Sequence, residues 1–120
     1  CGSHAMALSE IKLKDIEQEC MDNCFEAVQA CEWCADECLD EDMDMSRCIR
    51  LCRDVADLAS DHARFMARDS NYTSELTEAT AGAAEECAEE CRRHDHDHCQ
   101  VCADVVEACA ESCREMLQAS

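Results

Sequence analysis

Apolar residues and cysteines recur every three or four positions along this chain, which is the spacing of one face of an α-helix. The three intervals between the periodic stretches are polar or acidic, and such residues favour turns and caps over regular structure. The pattern predicts four helices: from about Ser9 to Leu39, from Met45 to about Ala67, from the end of the Arg68–Thr73 break to about Arg93, and from about Asp97 onward.

Four helices joined by connections this short must run up and down beside one another. The predicted fold is therefore all-α, an up-and-down four-helix bundle with a cysteine-lined core. The absence of proline and the presence of only two glycines also favour helix over strand. We expect one domain over residues 7–120. Residues 1–6 resemble a cloning scar, and an export signal could once have stood in their place.

Thirteen of the fourteen cysteines fall on helical spacings, in five CxxxC pairs and two CxxC pairs. Residues three or four apart share one helix face, so the pairs should turn toward the bundle axis and extend along most of it. One half of the bundle should contain nine of them, and the other half Cys20, Cys24, Cys109 and Cys113. The candidate metal ligands are Cys20, Cys24, Cys31, Cys34, Cys38, Cys48, Cys52, Cys87, Cys91, Cys99, Cys102, Cys109 and Cys113.

Clustered thiols at these spacings indicate metal binding, because the thiolate is a soft ligand that selects Cu(I), zinc or iron–sulfur clusters. Two thiolates satisfy a Cu(I) ion and one thiolate can bridge two ions, so about one copper per core cysteine is feasible. Each Cu(I) also cancels one negative charge. A zinc ion with four cysteines keeps two negative charges, and their burial is costly. The pattern favours multiple Cu(I) ions per chain, with zinc or mixed-metal buffering as an alternative.

Disulfide bonding is another use that this cysteine pattern allows. Pairs on successive helices, such as Cys34/Cys38 and Cys48/Cys52, could be joined in a disulfide-stapled structural or chaperone-like protein. The odd number of core cysteines and the continuation of the stripes beyond one hairpin argue against this alternative. Free-thiol counts under non-reducing conditions would separate the two interpretations.

Imidazole and thioether side chains gather at the end that contains the first and third connections. His94, His96 and His98 alternate with aspartates in the third connection, and Met43 and Met45 lie in or beside the first. Imidazole binds copper, zinc or nickel, and thioethers accept Cu(I). These five residues are therefore candidates for a metal entrance.

Charge and composition exclude several other functions. A formal net charge of −19 argues against nucleic acid and anionic membrane surfaces, which attract Lys and Arg. No apolar run approaches the roughly 18 residues that span a bilayer. Di-iron bundles need ExxH pairs, which this chain lacks, so we do not expect an enzyme. We expect a cytoplasmic protein. His62 lies on an inward helix face, and we interpret it as a core histidine.

The longest run of candidate ligands resembles a sequence of the copper storage proteins, a bacterial family of cysteine-rich four-helix bundles. The run is Cys87-Ala-Glu-Glu-Cys91-Arg-Arg-His94-Asp-His-Asp-His98-Cys99-Gln-Val-Cys102, followed by Cys109-Ala-Glu-Ser-Cys113. The resemblance covers nearly all of residues 10–118. It implies that the thirteen core cysteines bind many Cu(I) ions inside each bundle. It also implies a homo-oligomer, commonly a homotetramer, in a family with both exported and cytosolic members.

Overall fold

Four helices make up most of the protein in the computed structural model, which describes residues 15–119. They are α1 (Asp15–Cys38), α2 (Ser46–Ala67), α3 (Thr73–Arg92) and α4 (Asp97–Ala119). The helix ends that fall inside this range agree with the predicted ends to within one residue. The predicted start at Ser9 and the short segment 1–6 lie outside the described residues, and a single domain over residues 7–120 stays a prediction.

Each helix packs against two neighbours, as in a bundle with a square cross-section. α1 contacts α2 and α4, and α3 contacts the same two helices. Because the connections are short, sequential helices run antiparallel. The described residues contain no strand, so the predicted all-α up-and-down four-helix bundle is confirmed. None of the described helices has both the length and the hydropathy needed to cross a bilayer.

The two ends of the bundle differ in the chain segments that form them. We call the mouth the end formed by connections 39–45 and 93–96. The deep end is formed by connection 68–72 and the last turn of α4. At the deep end, Asp69 stops α2 with a backbone φ of 52°, in the left-handed region that Asp and Asn enter more readily than most residues.

Alanine and cysteine account for most of the core, and no Phe, Trp or Tyr ring in residues 15–119 is buried. Phe25, Trp33 and Tyr72 are exposed, and Phe65 is half-buried with the Arg68 guanidinium 4.4 Å from its ring centre. Small side chains let the helices approach closely, but burial is worth only about 0.8 kcal/mol per methylene. The core therefore gains less from apolar burial than a core of large side chains would.

Candidate metal centre

All thirteen predicted cysteines are buried, with at most 2% of each residue exposed, and all are free thiols. Each Sγ atom lies between 3.6 and 4.0 Å from at least one other Sγ atom. These separations are those of thiols in contact and are far longer than a disulfide bond of about 2 Å. The predicted cysteine-lined core is confirmed.

The sulfur atoms form two clusters rather than one continuous row. The deep cluster contains four cysteines, all from α1 and α4: Cys20, Cys24, Cys109 and Cys113. No thiol–thiol hydrogen bond joins it to the other cluster within residues 15–119. The mouth cluster contains nine cysteines from all four helices: Cys31, Cys34, Cys38, Cys48, Cys52, Cys87, Cys91, Cys99 and Cys102.

An apolar layer separates the two clusters. It consists of one inward residue from each helix, Ala27, Val55, Ala84 and Val106, and all four are fully buried. Each lies three or four residues from a mouth-cluster cysteine on its own helix, which is one helical turn toward the deep end. As predicted, cysteines extend along most of the axis on α1 and α4, but α2 and α3 carry no cysteine beyond this layer.

Within the mouth cluster, three groups of four thiols each have all their Sγ atoms within 4.8 Å of one another. Cys34, Cys48 and Cys52 each belong to two of these groups. Such sharing suits metal clusters, because one thiolate can bridge two soft metal ions. The groups are Cys34/Cys38/Cys48/Cys99, Cys34/Cys48/Cys52/Cys91 and Cys31/Cys52/Cys87/Cys102.

Hydrogen bonds between neighbouring thiols shift their pKa values in opposite directions. In the deep cluster, hydrogen bonds from Cys113 and Cys24 lower the pKa of Cys20. Hydrogen bonding to Cys109, then to Cys113, raises the pKa of Cys24. Thiols that share protons in this way would release them on binding a metal, because only the thiolate is a ligand. A soft cation would also neutralise thiolates that are costly to bury alone.

His98 connects the mouth cluster to the loops at the mouth. Its Nδ1 atom lies 3.5 Å from the Sγ atoms of Cys34 and Cys99, and its Nε2 atom lies 2.9 Å from Glu41 Oε2. Burial lowers the pKa of His98, but hydrogen bonds with Cys34 and Glu41 outweigh it, so the pKa is raised overall. One imidazole thus touches both the buried thiols and an acidic group at the mouth.

The other mouth histidines stack beside His98. The ring centres of His96 and His98 are 5.3 Å apart, and those of His94 and His96 are 6.5 Å apart. Candidate ligand atoms of Glu41, His96 and His98 lie within 4.8 Å of one another. Sequence analysis missed Glu41. Its only signal was a place in the acidic connection after α1, at the same end of the bundle as the histidines.

The remaining entrance candidates have different surroundings. Met43 is 54% exposed in its loop, whereas Met45 is buried at the start of α2. His94 Nε2 lies 2.9 Å from Glu90 Oε2, a buried carboxylate that holds the ring at the end of α3. The mouth therefore offers an exposed thioether, a buried thioether and three imidazoles.

His62 is buried in the deep cluster. Its Nδ1 atom lies 3.5 Å from Cys24 Sγ and 3.8 Å from Cys113 Sγ. Together with Cys20, these residues form a group whose ligand atoms all lie within 4.8 Å of one another. Sequence periodicity correctly turned His62 inward, close to the predicted thiols, but it favoured a core histidine over a metal ligand and did not indicate which ring nitrogen would face sulfur.

Comparison with known proteins identifies the family. The family described as copper storage protein matches residues 13–118, whereas no curated protein matches the sequence. The Cu(I)-bound copper storage protein BsCsp3 is 38% identical, with a TM-score of 0.81 over 85% of this chain and 98% of that chain.

Two further solved structures are similar over most of their length. Apo copper storage protein 3 from Bacillus subtilis is 39% identical, with a TM-score of 0.77 over 82% of this chain and 96% of that chain. A cytosolic copper storage protein from Streptomyces lividans, with five coppers, is 35% identical. Its TM-score is 0.83 over 87% of this chain and 93% of that chain. Because the family match covers most of the sequence, this chain belongs to the copper storage protein family.

Proposed function

We propose that this protein binds and stores several Cu(I) ions through the thiolates of its thirteen core cysteines. The observation that carries the proposal is the burial of all thirteen free thiols within contact distance of one another's sulfur atoms. Cu(I) prefers soft thiolate ligands. Each ion would displace one thiol proton and cancel the charge of the thiolate that remains, so a filled core would be close to neutral.

Relatives support copper as the stored metal. One similar structure is Cu(I)-bound and another holds five coppers. In this chain copper is cargo, which is sequestered to limit free copper and supplied again when needed. Nothing in the arrangement singles out one cysteine as a nucleophile, so storage accounts for the site better than catalysis does.

The proposed route into the store begins at the mouth. Met43, Met45, His94, His96 and His98 would capture copper there, helped by the acidic surface, which attracts cations. Because His98 Nδ1 lies 3.5 Å from two thiols, it could pass an ion directly to the mouth cluster. Within that cluster, copper would move by ligand exchange, in which a new sulfur binds before the previous one leaves.

We further propose a cytoplasmic store that assembles as a homo-oligomer, with a tetramer as the expected form. A relative described as cytosolic supports the location. An apolar groove between α1 and α4, lined in part by Trp33, Val101 and Val105, supports the assembly. Trp33 and Val101 are 44% and 48% exposed, and exposed apolar surface of this kind often marks an interface.

Anaerobic titration of the fully reduced protein with Cu(I), against a chromophoric chelator, tests the storage function. We expect about one copper retained per core cysteine, or about thirteen per chain. A parallel titration with zinc is the matched control. Retention of only one or a few copper ions, or preferential retention of zinc, would overturn the proposal.

A further inference from the structure

The deep cluster differs from the mouth cluster in the elements that supply its ligands. Its four cysteines come from α1 and α4 alone. On the other two helices, fully buried polar residues occupy the inward positions at this depth, His62 on α2 and Thr77 on α3. Buried polar atoms are nearly always hydrogen-bonded, so the partners of these two side chains define what the imidazole can do.

Thr77 fixes the position of the proton on the His62 ring. Its Oγ1 atom lies 2.8 Å from the backbone carbonyl oxygen of Thr73, to which the hydroxyl donates its single proton. The same oxygen lies 2.8 Å from His62 Nε2 and must accept the hydrogen bond from that nitrogen. A neutral imidazole has one ring proton. His62 therefore carries it on Nε2 and presents an unprotonated Nδ1.

The lone pair of Nδ1 faces the thiols of the deep cluster, at 3.5 Å from Cys24 Sγ and 3.8 Å from Cys113 Sγ. In the metal-free protein this nitrogen can accept a thiol hydrogen bond. With copper present, the same lone pair is available to the metal. Imidazole is a common copper ligand, and a ring nitrogen that donates to an oriented oxygen is the usual support for a metal-binding histidine.

We propose that His62 Nδ1 is a copper ligand of the deep cluster, which is therefore a mixed thiolate and imidazole site; this inference rests on the proposed storage function. Cu(I) binding would release the thiol proton of Cys24 or Cys113 to solvent and form a copper–sulfur bond. His62 would add a copper–nitrogen bond through its lone pair and lose no proton. Copper stays in the +1 state throughout.

This assignment explains how the deep cluster can hold copper without thiolates from α2 or α3. A neutral imidazole adds a ligand from α2 without adding negative charge to a fully buried site. Thr77, from α3, supports that ligand through its hydroxyl. All four helices thus take part in the deep cluster, two of them through nitrogen and oxygen atoms in place of sulfur.

Histidine side-chain ¹H–¹⁵N correlation spectra of the wild-type protein, recorded during stepwise anaerobic addition of Cu(I) alone, test the assignment directly. We expect metal-free His62 to be protonated on Nε2. On loading, its Nδ1 signal should shift while the Nε2–H is retained. His62→Gln identifies the signals. If copper binds to full stoichiometry and His62 Nδ1 does not shift, the inference fails while the storage function stands. Failure to bind several copper ions would overturn both.

Variants give a second test through chelator competition. His62→Ala should release the most weakly held deep-cluster copper at lower chelator strength than wild type. Thr77→Val, which removes the orienting oxygen, should weaken deep-cluster retention by about 10- to 100-fold. Thr80→Val is the matched control, because Thr80 is buried on the same helix face but its hydroxyl donates to the Leu58 carbonyl oxygen at 3.4 Å. Equal retention in all three variants would contradict the proposal.

Discussion

The mouth cluster and the deep cluster contain equally buried cysteines in different surroundings. The mouth cluster draws nine thiols from all four helices and lies beneath Glu41, His94 and His96 of the connections and His98 of the first turn of α4. The deep cluster draws four thiols from two helices, and His62 and Thr77 occupy its other two sides. The difference shows that the burial of the cysteines does not by itself determine how many metal ions a cluster can hold. The number of helices that contribute sulfur decides how many ions can share ligands.

The two regions also differ in the hydrogen bonds that their buried polar groups make in the absence of metal. In the deep region, hydrogen bonds connect His62, Thr77 and the Thr73 carbonyl oxygen, and Met66 is buried nearby on α2. In the mouth cluster, mostly weak contacts between thiols take that place. Thiols are weak hydrogen-bond donors and acceptors. We therefore expect copper binding to stabilise the mouth half of the bundle more than the deep half.

The largest expected effect is a loss of copper capacity in two separate double variants, each of which lacks one cysteine pair from one cluster. Cys48 and Cys52 together take part in all three mouth groups, whereas Cys109 and Cys113 belong only to the deep cluster. Replacing the deep pair with serine should reduce capacity by about two copper ions. Replacing the mouth pair should reduce it by more, because shared thiols bridge several ions.

Both double variants remove a CxxxC pair from one helix, so each is a matched control for the other. Copper retained per chain against the chelator is the measurement. Equal losses would show that the mouth thiols are not shared between ions. Unchanged capacity after loss of Cys109 and Cys113 would mean that copper does not occupy the deep cluster.

A smaller effect, on the rate of copper loading, should follow from placing a cysteine in the apolar layer. Copper that reaches the deep cluster must pass Val55 and Val106 without a neighbouring thiol, so loading should have a fast phase and a slow phase. Val106→Cys places sulfur in the layer and should accelerate the slow phase several-fold. Stopped-flow mixing with a Cu(I)–chelator complex measures both phases, and Val106→Ala controls for the change in volume. Equal acceleration by both variants would mean that space, rather than sulfur, limits the transfer.

The smallest effect is expected at the mouth. Glu41→Gln removes the charge beside His96 and His98 but leaves all thiols in place. The fast phase should slow a few-fold, with the slow phase and the final capacity unchanged. Glu75→Gln, at an exposed position in the first turn of α3, alters net charge by the same amount at the opposite end of the bundle from the histidines. A matching decrease in both variants would assign the effect to overall charge and not to Glu41.

Much of the fold could be predicted from the sequence because the inward stripes are strong. Along α2, cysteines, small apolar residues and one histidine recur at helical spacing, and they are buried as that spacing predicts. Short connections then leave little choice of topology. The same reasoning placed Cys20, Cys24, Cys109 and Cys113 together, away from the other nine cysteines.

The details of the site depend on contacts between different helices and loops, and the periodicity of a single helix carries no information about such contacts. The break at Val55 and Val106 depends on the relative heights of four helices along the axis. Glu41 reaches His98 through a loop conformation that no repeat encodes. The direction in which His62 faces depends on a hydroxyl from another helix. Sequence spacing indicates a face of a helix, but contacts across the bundle decide which atoms meet.

Anomalous diffraction at the copper edge, from crystals loaded anaerobically with Cu(I), tests most directly whether the thirteen cysteines hold copper in two clusters. We predict copper peaks among the nine mouth thiols and a second set among Cys20, Cys24, Cys109 and Cys113, with none at the level of Val55 and Val106. Peaks confined to the surface histidines, or the absence of copper from both sets of thiols, would contradict the account.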